Sequence, residues 1–89
     1  MASFLGLLTS ILNASDRPMT PARCRAARGL IAMAQPELAH AAVVPLGVII
    51  DFEANAATPK DEDLDAIQDV LERAGVEFIE DGVKRRNGK

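Results

Sequence analysis

The chain has 89 residues, enough for one hydrophobic core and too few for two, since single domains span roughly 50 to 200 residues. Apolar residues make up 48% of it, yet tryptophan and tyrosine are absent and phenylalanine occurs three times, which favours short, closely packed helices over a β-sandwich. The formal net charge of −3 speaks against a protein that grips nucleic acid by bulk charge, and no run approaches the roughly 20 apolar residues of a membrane span.

Residues 1–18 stand apart from the rest of the chain. Phe4, Leu5, Leu7, Leu8, Ile11 and Leu12 make an apolar stretch interrupted by Gly6. No basic flank precedes it, so a secretory signal is not expected. Phe4, Leu8, Ile11 and Leu12 would share one helical face. That face suits docking on the domain, pairing with a second copy, contact with a membrane surface, or no more than a loosely ordered extension. Asn13 to Pro18 reads as a linker.

Thr20 is placed to cap a first helix, with Pro21 at the position where its missing N–H is harmless. The spacing carries this helix to about Met33. Cys24, Ala27, Leu30 and Ile31 form its buried stripe, and Arg23, Arg25 and Arg28 project elsewhere. The lone Cys24 has no intramolecular disulfide partner, fits a reducing cytosol and reads as a small buried hydrophobe. A second helix is expected from Pro36 to Ala42, with Gln35 just before it, and a third from about Leu46 to Asn55. Ala57 to Lys60 connects to a fourth helix capped by Asp61, built on Leu64, Ile67, Val70 and Leu71, and closed by Gly75. Val76 to Ile79 alternates as a strand, and Asp81-Gly82 signals a two-residue hairpin returning through Val83 to Arg85. A lone hairpin must pack on helices or pair with another subunit. The chain thus divides into an extension (1–18), a helical domain (19–75) and a short strand or hairpin with a basic tail (76–89).

Charge is segregated. Arg17, Arg23, Arg25 and Arg28 crowd the first third, and Lys84, Arg85, Arg86 and Lys89 close the chain, whereas residues 51–81 carry eleven acids against Lys60 and Arg73. Such blocks suit two faces with different partners, or one face meeting the other across an interface. A core this small would also gain from the further burial of a dimer.

The ordered set Met19-Thr20-Pro21-Ala22-Arg23, Gln35-Pro36-Glu37-Leu38-Ala39, Val44, Ile49, Phe52-Glu53, Thr58-Pro59 and Ala74-Gly75-Val76-Glu77-Phe78-Ile79 resembles the phage-repressor (Cro/cI-like, Xre) helix-turn-helix family. The resemblance covers residues 19–79. It implies an all-α, compact domain of four to five helices, lambda-repressor-like, with a short C-terminal strand or hairpin. It also implies a cytoplasmic transcriptional regulator that binds operator DNA as a dimer and uses no cofactor. Phosphate-holding positions would fall on Gln35, Arg23, Arg25 and Arg28, and the start of the recognition helix on Pro45, Leu46, Gly47 and Val48. Ala39 would allow the two helices to approach closely.

The departures cluster at those reading positions. Relatives usually place glycine in the turn between the second and third helices, where φ is positive. This chain has Val43, whose β-branch resists that conformation, so the turn is expected to be reshaped or extended by Pro45. Where the family commonly carries Ser-Arg-Ser-Thr, this chain has Pro45-Leu46-Gly47-Val48, and four frequent basic positions are Ile50, Asp51, Ala54 and Ala56. Base readout needs forked donors such as Arg, Asn or Gln, whereas Leu46 and Val48 offer only contact with thymine methyls and Asp51 would repel phosphate. A second expectation therefore stands beside the regulator: a protein-binding module on the same scaffold, an antiactivator or heterodimer partner. No enzyme is expected. His40 is the sole histidine, without a second ligand at metal spacing, and neither a nucleophile triad nor a phosphate loop is evident.

Overall fold

The computed structural model describes residues 19–80 and 82–86. The apolar extension 1–18, Asp81 and the tail 87–89 lie outside the described residues, and with them the charges of Arg17 and Lys89. Helices α1 (Pro21–Leu30), α2 (Gln35–Ala42), α3 (Leu46–Glu53) and α4 (Asp61–Arg73) precede a hairpin of β1 (Val76–Ile79) and β2 (Gly82–Arg85).

The start of α1 is set by local chemistry. Thr20 is extended and its Oγ1 accepts the Arg23 N–H at 3.1 Å, while Pro21 opens the helix. The helix stops at Leu30 rather than near Met33. Ala32 turns left-handed at φ 55, and the Met33 N–H reaches back to the Arg28 carbonyl at 2.9 Å. Leu30 is consequently half out in solvent, and the buried part of the expected stripe reduces to Cys24 and Ala27 with Ile31 beside them.

The same closure recurs at the next two helix ends. After α2, Val43 takes φ 58 and ψ 48, its N–H bonds the His40 carbonyl at 3.2 Å and the Val44 N–H bonds the Ala39 carbonyl at 3.0 Å. After α3, Asn55 sits at φ 62 and the Ala56 N–H bonds the Asp51 carbonyl at 2.8 Å. These are the paired bonds of a Schellman cap, usually hosted by glycine. The expectation that Val43 would force a reshaped turn is corrected. Valine adopts the left-handed conformation itself, because the two capping bonds and the burial of Val44 against the core outweigh its steric penalty. Pro45 instead provides the extended residue before α3.

The fourth helix begins one residue earlier in its cap than expected. Lys60 occupies the cap without a side-chain bond, and Asp61, Glu62 and Asp63 fill the first turn, where carboxylates favour the helix dipole. Gly75 comes next at φ 109, as the sequence signalled. The hairpin register pairs Ile79 with Gly82, so the connection falls one residue before the expected Asp81-Gly82 step, and Gly82 starts β2 at φ 151.

Leu38, Ile49, Ile67, Leu71 and Val76 are fully buried, and Phe52, Ala39 and Leu64 complete the centre of the core. α2 packs on α3 and α4, α1 on α3 and β2, and α4 on β1. The hairpin therefore rests on helices within this one chain, with Phe78 and Val83 packed on the core. No helix among the described residues is long and apolar enough to cross a membrane.

Candidate functional site

The α2–turn–α3 unit carries most of the residues singled out in the sequence, and its two sides differ sharply. The inner side is organised by Glu53, the last residue of α3, which is only 4% exposed. Its Oε1 accepts from Arg28 Nη2 at 2.6 Å and from Gln35 Nε2 at 2.9 Å. Its Oε2 accepts from Arg28 Nε at 2.7 Å and from the Cys24 thiol at 3.0 Å. Four donors thus fill the four lone-pair sites a carboxylate offers. The Glu53 backbone carbonyl accepts from Arg25 Nη1, and Arg28 Nη1 donates to the Met33 carbonyl at 2.9 Å.

One carboxylate therefore ties α1, α2 and α3 together, and the forked Arg28 contact sets their relative orientation. Burial alone would push the Glu53 carboxyl up, but hydrogen bonds from Arg28, Cys24 and Gln35, with the Arg28 charge, more than cancel this and hold it below the ordinary value. The Arg28 guanidinium is raised, chiefly by its hydrogen bond to Glu53. Burial, then the bond to Glu53, drives the Cys24 thiol far up, so it acts as a neutral donor without thiolate reactivity.

These shifts fix the sign of the pH dependence. Because Glu53 is depressed in the folded state, its stabilisation is present above the unfolded carboxylate value of about 4.3 and is lost as pH falls through the lower folded value. Thermal melts should hold steady down to about pH 5 and then fall. In Glu53→Gln the acid limb should be shallower than in the native chain. An identical acid limb in both would remove Glu53 from this role.

Of the four expected phosphate holders, three converge on Glu53: Gln35 and Arg28 on its carboxylate and Arg25 on its carbonyl. Arg23 donates to the Glu80 carbonyl at 2.6 Å, linking α1 to the hairpin turn. Arg28, expected to point away from the buried stripe, lies instead on the inner side, held there by Glu53. Gln35 belongs to α2 as its first residue, where Glu37 caps the Ala34 N–H at 2.7 Å.

The outer side is built from the turn and the exposed half of α3. Val43 is 88% exposed, Leu46 39% and Ile50 43%. Leu46 and Ile50, four residues apart on α3, share a face beside exposed Gly47 and Asp51, while Val43 stands in the turn before Pro45. Val48, expected with Pro45, Leu46 and Gly47 at the front of α3, is half-buried and faces a hollow of about 370 Å³ lined also by Pro45, Gly47, Asp51, Ala57, Thr58 and Pro59. The outer face so assembled holds one charge, the acid Asp51, and, apart from the Thr58 hydroxyl lining that hollow, no side chain able to donate to a base edge.

Sequence reasoning does not single out Glu53 as the hub, although a signal exists. With Ile49 and Phe52 marking the buried stripe of α3, Glu53 falls on the same stripe, and an acid there requires a cation. Arg28, one residue beyond Ala27 and four beyond Cys24, is positioned to supply it.

Basic side chains gather elsewhere. Arg85 and Arg86 are exposed on and after β2, and Lys84 pairs with Glu77 at 3.5 Å. Among the described residues no group of three or more His, Cys, Asp or Glu could hold a metal. No family model matches the chain, and no curated protein matches it.

Proposed function

We propose that the α2–turn–α3 unit is a helix-turn-helix of the phage-repressor type whose outer face binds a protein partner, in the manner of an antiactivator or heterodimer subunit. The observation that carries this reading is the pairing of an apolar outer face, Val43, Leu46 and Ile50, with an inner side on which Glu53 already occupies Arg28, Gln35 and Arg25. An exposed apolar patch bordered by an acid suits a protein surface better than a polyanion.

A second reading, a DNA-binding dimeric regulator, is favoured by exposed Arg85 and Arg86 on the β2 side, which packs on α1 with Arg23 and Arg25. Those side chains would serve sequence-blind phosphate contact.

Salt titration separates the two. Each phosphate neutralised contributes about −0.9 to the slope of log K against log salt. A dimer using four anchors per subunit should give about −7, whereas a single subunit in contact through Arg85 and Arg86 alone should give about −2 with no preference for any duplex. A photo-crosslinking residue at position 50, in cells, should yield a discrete protein adduct. A DNA adduct with a steep salt slope would overturn the protein-binding reading.

A further inference from the structure

The loop that follows α3 is tied back onto that helix. The Ala56 and Ala57 N–H groups both bond the Asp51 carbonyl, at 2.8 and 3.3 Å. These bonds fix the segment that supplies Ala57, Thr58 and Pro59 to the hollow of about 370 Å³, whose remaining lining comes from Pro45 and α3. Its size falls at the low end of the roughly 300–1,000 Å³ typical of ligand pockets. Gly47 adds no side chain to it, and a Cβ there would meet nothing within 4 Å.

Charge gives this hollow a preference. Its side chains are apolar apart from the Asp51 carboxylate and the Thr58 hydroxyl. Among the described residues no ion pair reaches the Asp51 carboxylate. Lys60, next after Pro59, stands 3.8 Å from Glu62, and Asp61 and Asp63 flank that acid at the start of α4. Glu53 is already matched by Arg28. The unmatched charge around the hollow is therefore negative. An apolar cleft with a free carboxylate at its wall fits a long cationic side chain, which lays its stem on apolar surface and its head on the acid. Arginine fits better than lysine, because its flat guanidinium stacks on such walls and forks onto oxygen acceptors.

We propose that this hollow receives an arginine side chain of the protein partner, with its guanidinium on Asp51 and its stem against Pro45, Val48 and Pro59. The proposal rests on the protein-binding reading above and gives the partner a chemistry. Gly47 and Asp51 lie beside Leu46 and Ile50 on α3, so the arginine comes from a segment whose neighbouring apolar residues cover those two. The Thr58 hydroxyl oxygen is a second acceptor for the guanidinium.

The test uses the full chain alone, followed by amide NMR and titrated with Nα-acetyl-arginine methylamide. The amides of Gly47, Val48, Asp51, Ala57 and Thr58 should shift and saturate at concentrations on the order of millimolar. The neutral analogue Nα-acetyl-citrulline methylamide should leave them unmoved. Asp51→Asn, at an exposed position, should weaken the arginine response about threefold, as loss of an exposed ion pair allows. Gly47→Leu, which fills the open space, should abolish it. A response that is absent, that citrulline reproduces, or that survives either substitution unchanged overturns the proposal. No partner is present in this titration, so its failure leaves the crosslink from position 50 to decide the protein-binding reading separately. A DNA adduct at position 50 removes the partner, and the proposal with it.

Discussion

Glu53→Ala should lower the unfolding free energy by about 3 kcal/mol, near the lower end of the 3–5 kcal/mol expected when one member of a buried ion pair is removed. The lower end applies because Arg28 retains 19% side-chain exposure and can recover part of its hydration. For a domain of this size each kcal/mol corresponds to about 4–8 °C, so the melting temperature should fall by at least about 12 °C. The loss exceeds that of one surface pair for a structural reason. Removing the carboxylate strands the donors of Arg28, the Gln35 amide and the Cys24 thiol together, and loosens three helices at once. Arg28→Met combined with Glu53→Leu should recover part of the loss, since apolar replacement of the ion pair removes its desolvation problem along with the attraction, while the Gln35 amide and the Cys24 thiol still lack their acceptor. A melt of Glu53→Ala within a degree or two of the native chain would show that packing of Leu38, Ile49 and Ile67 holds the helices without the network.

Much of the architecture could be read in advance because it depends on neighbours in sequence. Thr20 with Pro21, the apolar spacing of Leu64, Ile67 and Leu71, and Gly75 before an alternating strand each act within a few residues. The helix ends at Ala32, Val43 and Asn55 were less legible. The usual glycine signal is missing at all three, and the left-handed turn is imposed by capping bonds, joined after Val43 by the burial of Val44. The inner half of the candidate site was harder still. Glu53 finds Gln35 eighteen residues and Arg28 twenty-five residues away, so its partners are set by packing. The outer half was plainer, because exposed Leu46 and Ile50 follow from the burial of Ile49 and Phe52 on the same short helix.

Val43→Gly should stabilise the fold while weakening what the outer face does. A left-handed conformation costs an L-residue roughly 1–2 kcal/mol, and glycine escapes that penalty at an entropic cost of about 0.5–1 kcal/mol. The valine side chain is 88% exposed, so little buried surface is lost, and a net gain of about 1 kcal/mol is expected. The melting temperature should rise by about 4–8 °C. Partner affinity should fall by about tenfold, in line with the roughly 1.5 kcal/mol available from burying a valine on binding. Ala32→Gly separates the two effects. It relieves the same backbone conformation after α1, away from the outer face, and should stabilise without changing affinity. If Val43→Gly destabilises the fold, the turn is not strained and the cap needs its side chain. If it stabilises but leaves binding intact, Val43 lies outside the contact surface, and Leu46 and Ile50 alone must supply it. An exposed valine held left-handed is disfavoured by its own backbone, and within the chain the two capping bonds and the burial of Val44 carry that cost without any contribution from the valine side chain.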